Sequence, residues 1–121
     1  MPLELSAANR VPEMLIMLLT PEKQANLVER IVEASNPRRI VLFGSAASDN
    51  RDTANDIDVL VVIENGKHSR KVEQAIYAKL LGFGLPVDVV AVTESTLQKY
   101  ADSPGLIYRE ALSTGRELYA V

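Results

Sequence analysis

The stretch FGSAASDNRDTANDIDVLVV, from Phe43 to Val62, contains the features that decide the fold. It leaves an apolar strand at Gly44-Ser45, passes through small and polar residues, and enters a second apolar strand that opens with Asp56 and Asp58. Successive side chains of a strand alternate between faces, so Asp56 and Asp58 project to the same side. Two carboxylates about 4 Å apart repel by about 4 kcal/mol at an effective dielectric constant of about 20. A divalent cation offsets this cost, since Mg²⁺ is commonly held by one or two carboxylates together with substrate phosphates.

A third acid, Asp88, interrupts the apolar run VDVV at residues 87–90. An aspartate among valines is costly if it is buried without a partner. If strand 85–92 lies beside strand 56–64, Asp88 joins the first two carboxylates, and three carboxylates can hold a two-metal site for nucleotidyl transfer. Taken alone, Asp88 could equally be an edge residue or the partner of an arginine.

The Gly44-Ser45 turn complements the acids. Glycine at a strand end lets the backbone approach a phosphate closely, and the serine offers a hydroxyl and N–H groups to an anion. An isolated Gly-Ser, or an Asn-Asp before a strand, is also ordinary turn chemistry. The combination with the third acid therefore carries the prediction of a phosphate site beside a metal site.

The rest of the chain predicts an alternation of helices and strands. Thr20-Pro21-Glu22 begins a helix of about 21–35, which Asn36-Pro37 ends. Further strands are expected at 38–44, 56–64, 85–92 and 116–121, and further helices near Pro12, at 69–84, at 93–100 and from Ser103-Pro104. This order indicates an α/β (α+β) fold, a small mixed β-sheet with helices packed on it. The first two strands are either antiparallel or joined by a half-turn helix.

The composition bounds the class of protein. The 121 residues suit one domain, and 47% of them are apolar. A net charge of −3 and a pI of about 5.1 argue against a nucleic-acid partner. There are no cysteines, no basic segment precedes an early apolar run, and that run, Met14–Leu19, is far shorter than the about twenty residues of a membrane span. We expect a cytoplasmic protein with no membrane partner.

The motifs LFGS (42–45), NDIDVLVV (55–62) and VDVV (87–90) resemble those of the minimal nucleotidyltransferase family, within the DNA polymerase β-like nucleotidyltransferase superfamily. The lead-in at 31–45 and the ending LIYREALSTGRELY at 106–119 are similar as well. The resemblance covers residues 20–121 and implies a nucleotidyltransferase domain there, with residues 1–19 as an N-terminal helical extension.

The resemblance also implies roles for individual residues. Gly44 and Ser45 match the loop that binds the nucleotide phosphates. Asp56 and Asp58 match the paired metal ligands, and Asp88 matches the third carboxylate, which completes the metal site and can act on the attacking hydroxyl. ATP is thus the expected substrate, and two Mg²⁺ ions are the expected cofactors.

Many minimal nucleotidyltransferases are antitoxins that transfer AMP to a tyrosine of a small helical HEPN-type toxin. The resemblance therefore implies Mg²⁺-dependent transfer of AMP from ATP to a partner protein of that kind. We expect another subunit or protein to supply the acceptor surface, which leaves homo-oligomerisation open. Met14–Leu19 is a candidate contact surface, and the alternative is that it covers the domain's own core.

A second hypothesis is a binding module with little catalytic activity, which neutralises its partner by contact alone. Family members often continue Gly-Ser with arginines, whereas residues 46–49 here read Ala-Ala-Ser-Asp and the first basic residue is Arg51. A third, transfer to a small molecule or an RNA end, is disfavoured by the acidic balance. We expect the tyrosines to be packing residues: Tyr77, Tyr100, Tyr108 and Tyr119.

Overall fold

The structure, a computed structural model, describes residues 19–44 and 57–121. Ser45 and Asp56 lie outside the described residues. The predicted helix near Pro12 and most of the predicted extension 1–19 lie outside them as well. In chain order the elements are α1 (Pro21–Ser35), β1 (Arg39–Phe43), β2 (Ile57–Ile63), α2 (Ser69–Lys79), β3 (Val87–Thr93), α3 (Glu94–Tyr100), α4 (Ile107–Thr114) and β4 (Arg116–Ala120). The predicted α/β fold is confirmed.

The four strands form one mixed sheet in the order β3-β2-β1-β4. β1 is antiparallel to both β2 and β4, and β2 is parallel to β3. The antiparallel alternative for the first two strands is therefore the right one. β3 lies beside β2, as the placement of Asp88 near the other carboxylates required, with Ile57 opposite Val87 and Ile63 opposite Thr93.

Helices cover both faces of the sheet. On one face, here called the α1–α2 face, alternate strand residues such as Val59 and Val61 pack with Leu27 of α1 and Ile76 of α2. On the other face, here called the α3–α4 face, strand residues pack with Leu97 of α3 and Ala111 of α4. These strand residues are Val41, Phe43, Leu60, Val62 and Val92. Because β2 is central and buried on both sides, its apolar run needs no polar alternation.

Capping explains why α1 was predicted correctly at both ends. The Thr20 side chain accepts the backbone N–H of Lys23 at 3.2 Å, and Pro21 occupies the first helical turn. Asn36 ends the helix in the left-handed conformation, with φ of 46°, and donates its N–H to the Val32 carbonyl. All of these signals are local in the sequence.

The predicted helix 69–84 was wrong at its end, because α2 stops at Lys79. The chain then turns, with the Phe83 N–H donating to the Leu80 carbonyl. The guanidinium of Arg30 on α1 donates hydrogen bonds to the Lys79 and Leu81 carbonyls at 2.9 and 3.0 Å. Contacts from another helix thus satisfy the carbonyls at which the helix ends.

The predicted helix start at Ser103-Pro104 was also wrong, because α4 begins at Ile107. Pro104 and Gly105 instead form the centre of a turn that the Leu106 N–H closes on the Ser103 carbonyl. Gly105 adopts a φ of 86°, which suits glycine in the third position of a turn after proline. Among residues 19–44 and 57–121, no helix has the length and apolar character to cross a membrane.

Candidate active site

Asp58 and Asp88 lie directly opposite each other on the parallel strands β2 and β3. Neighbouring strands are about 4.8 Å apart, and opposite residues of a parallel pair project to the same face. That face is the α3–α4 face, because Leu60 and Val90, each two residues further on, pack there. Asp58 is half-buried and Asp88 is exposed, so the pair lies at the accessible start of both strands.

Gly44 lies next to Asp58, on the side opposite Asp88. It follows β1 directly and adopts a φ of 74°, in the left-handed region that favours glycine. A Cβ atom at this position would lie 2.5 Å from Oδ2 of Asp58. Because β1 is antiparallel to β2, the end of β1 and the start of β2 meet at the same edge, and the backbone of Gly44 touches the carboxylate.

Three of the five residues predicted for the site are therefore brought together: Gly44, Asp58 and Asp88. The other two, Ser45 and Asp56, lie outside the described residues. Within the described ranges, no group of three His, Cys, Asp or Glu side chains could hold a metal ion. The donor set nevertheless fits Mg²⁺, because two side-by-side carboxylates are the hard oxygen ligands that this ion prefers.

Tyr77 contacts the site, which the sequence did not predict. Its hydroxyl donates to Oδ1 of Asp88 at 3.2 Å and accepts the backbone N–H of Val89 at 2.8 Å. The expectation that Tyr77 is a packing residue was wrong: 41% of its surface is exposed, and its polar end is used. Burial of the hydroxyl end against β3 raises the pKa of Tyr77; the Val89 bond lowers it, and the Asp88 charge raises it. The hydroxyl therefore stays protonated and remains a donor at neutral pH.

Glu73 lies one helical turn before Tyr77 on α2 and makes a parallel contact. Its Oε2 accepts the backbone N–H of Ala91 at 2.9 Å. β3 is an edge strand, so the N–H groups of Val89 and Ala91 would otherwise be available to another chain. The two α2 side chains satisfy both groups.

The remaining tyrosines differ from one another. Tyr108 and Tyr119 are partly buried and pack against the two core clusters, as predicted. Tyr100 is 36% exposed, with the Lys99 ammonium 5.4 Å from its ring centroid. It packs less than the sequence suggested.

The described residues also line two surface cavities. One, of about 290 Å³, is lined by Tyr77, Val87 and three leucines of the α2–β3 connection, Leu80, Leu81 and Leu85. The other, of about 520 Å³, runs along α4 and the turn before it. Neither is lined by Asp58 or Asp88.

Comparison with known proteins agrees with this geometry. Residues 24–115 match the model of the nucleotidyltransferase domain family, and the chain belongs to that family. The match includes Gly44, Asp58 and Asp88. A search of curated proteins found no match to the chain. Membership supports nucleotidyl transfer as the general reaction.

Proposed function

We propose that this protein transfers AMP from ATP to a hydroxyl group of a partner protein, in a Mg²⁺-dependent reaction. The observation that carries the proposal is the register of Asp58 opposite Asp88, with the backbone of Gly44 against the Asp58 carboxylate. Like charges are placed side by side at an accessible strand end in a member of a nucleotidyltransferase family. A structural role alone would not favour that arrangement.

The proposed reaction exchanges one bond at the α-phosphorus of ATP. The acceptor oxygen attacks the α-phosphorus of ATP, the bond from that phosphorus to the α–β bridging oxygen breaks, and pyrophosphate leaves. The carboxylate of Asp88 takes the proton of the acceptor hydroxyl, and Asp58 with Asp56 would hold Mg²⁺ together with Asp88. Bound Mg²⁺ supplies Lewis-acid stabilisation of the negative charge on the phosphates. The backbone at Gly44 leaves room for the phosphates because it carries no Cβ atom.

The acceptor is proposed to be a protein because of where the acids lie. Asp88 is exposed and belongs to an edge strand, so a side chain carried by another protein can reach it. The resemblance to minimal nucleotidyltransferases supports a small helical HEPN-type toxin as this partner. On that proposal the protein is an antitoxin that silences the toxin by adding AMP to it.

The test is incubation of the protein with α-labelled ATP, Mg²⁺ and candidate HEPN-type partners. Label should appear on the partner and should be lost in Asp58→Asn and in Asp88→Asn. Glu64→Gln is the matched control, because it removes one acid just past the far end of β2, about 20 Å from Asp58 by the strand rise. Transfer that survives in both aspartate variants would refute the mechanism.

The alternative, neutralisation of the partner by contact alone, is favoured by one observation. Residues 46–49 carry an acid and no arginine where family members often have basic residues. Calorimetry with Mg·ATP separates the two functions. Binding that requires Asp58 supports the enzyme, whereas partner inhibition that persists without ATP and in Asp58→Asn supports the binding module.

A further inference from the structure

The contact between α2 and β3 has a regular geometry. Glu73 and Tyr77 are four residues apart on one helix, so their side chains lie one above the other. Val89 and Ala91 are two residues apart on the strand, so their N–H groups point to the same side, about 6–7 Å from each other. The rise of one helical turn, about 5.4 Å, is close to the distance between the two N–H groups. Each side chain therefore accepts a hydrogen bond from one N–H group.

The two contacts differ in one respect. Glu73 is half-buried and accepts the Ala91 N–H. Tyr77 makes the equivalent bond to Val89 and also donates its proton to the neighbouring Asp88 carboxylate. The backbone of β3 holds the Tyr77 hydroxyl in place. The hydrogen bond from this hydroxyl therefore restricts the orientation of the Asp88 side chain.

We propose that Tyr77 is a positioning residue that orients the carboxylate of Asp88 toward the divalent cation and the acceptor hydroxyl. This inference depends on the proposed function, because it assigns Tyr77 a task at that site. An exposed aspartate on an edge strand samples several rotamers, and a donor fixed by the backbone selects among them. Outer partners that orient a ligand typically change metal affinity or activity by about 10- to 100-fold.

The competing explanation is that Tyr77 only protects the edge of β3. The chain provides a control for this explanation, since Glu73 protects the same edge through Ala91. Glu73→Ala removes the acceptor of the Ala91 N–H and leaves the Tyr77–Asp88 hydrogen bond in place. Glu73→Gln removes the same charge while keeping an oxygen for the Ala91 N–H, which separates the effect of charge from that of the contact.

The experiment measures Mn²⁺ affinity, from the electron paramagnetic resonance signal of the free ion, in the full chain and its variants. Tyr77→Phe should weaken Mn²⁺ binding by about 10-fold or more. Glu73→Ala should lower the melting temperature by a similar amount to Tyr77→Phe and leave Mn²⁺ affinity close to that of Glu73→Gln. Tyr119→Phe, on the opposite edge strand of the sheet, should change neither quantity.

A double-mutant cycle then tests whether Tyr77 acts through Asp88. In the Asp88→Asn background, Tyr77→Phe should cause no further loss of Mn²⁺ affinity. An unchanged affinity in Tyr77→Phe, when Asp88→Asn binds Mn²⁺ measurably more weakly than the parent, would overturn the positioning role alone. Absence of Mn²⁺ binding by the parent protein would instead overturn the proposed function, and this inference with it.

Discussion

A Cβ atom on Gly44 would lie 2.5 Å from Oδ2 of Asp58, which is closer than two such atoms can approach. Gly44 also holds a φ of 74°, so any other residue there is strained as well as crowded. Gly44→Ala should therefore displace the Asp58 carboxylate and lower the rate of the proposed AMP transfer about 100-fold, the order of loss expected from a 1 Å misplacement.

The control for this prediction is Gly66→Ala. Gly66 has a φ of 94° in the turn before α2, and a Cβ there would have no atom within 4 Å. Both variants should lose about 1–2 kcal/mol of stability from the left-handed conformation, and only Gly44→Ala should lose activity. Thermal unfolding and the labelled-ATP assay measure the two effects, and equal activity losses would show that the crowding at Asp58 is irrelevant.

Cation binding should appear as stabilisation. Because a ligand that binds only the folded state stabilises it by mass action, Mg²⁺ with a non-hydrolysable ATP analogue should raise the Tm of the parent protein. At about 100 times the Kd the gain is about 2.7 kcal/mol. Asp88→Asn should show a much smaller increase, since one of the carboxylates proposed to bind the cation is lost, while Glu64→Gln should behave as the parent. A full increase in Asp88→Asn would exclude Asp88 from the site.

Arg30 should be important for stability although it is far along the chain from α2. Its guanidinium binds the Lys79 and Leu81 carbonyls and lies 5.7 Å from the Phe83 ring centroid. Arg30→Ala should lower the free energy of unfolding by about 1–3 kcal/mol. The variant loses both the hydrogen bonds from a charged donor and a favourable interaction with the C-terminus of α2.

Arg30→Lys should recover only part of that loss, since an ammonium group cannot reproduce the planar fork of donors. Arg70→Ala serves as the control, because Arg70 is exposed near the start of α2. Chemical denaturation measures all three variants, and full recovery in the lysine variant would mean that charge alone is sufficient.

Gly115 is required for space rather than for backbone conformation. Its φ of −74° is open to any residue, but a Cβ atom would collide with the Ala111 carbonyl and lie 2.6 Å from Cγ1 of Val41. Gly115→Ala should therefore lower the free energy of unfolding by about 1–3 kcal/mol, because it overpacks the contact between α4 and β1. Gly105→Ala has open space around it and should show conformational strain alone. The prediction fails if Gly115→Ala unfolds at the same denaturant concentration as the parent protein.

The accuracy of the sequence predictions followed the range of the interactions involved. α1 was predicted at both ends because Thr20, Pro21 and Asn36 act on their own neighbours. β2 was predicted because a strand buried on both faces is apolar throughout. α2 was extended too far because its last carbonyls are bound by Arg30, whose contact is tertiary. The start of α4 was misplaced because Ser-Pro begins both helices and turns, and Gly105 decides for the turn.

At the candidate site too, features set by local sequence were predicted and a feature set by tertiary contact was missed. Asp58 and Asp88 were identified from residue type and their pairing was predicted once the two strands were taken as neighbours. Tyr77 was missed because its hydroxyl reaches Asp88 only when α2 packs along β3, and no local pattern reports that packing. The i, i+4 spacing of Glu73 and Tyr77, opposite a strand whose outer edge needs partners, is the signal that could have suggested it.

The register of β2 and β3 has a consequence for folding fidelity. A slip of one residue between these strands would turn one of the two carboxylates to the opposite face and separate it from its partner. A cation that needs Asp58 and Asp88 together would then bind the correctly aligned sheet and not the slipped one. Its binding free energy would be added selectively to the native alignment, so a cation bound for the proposed reaction would also favour correct strand pairing.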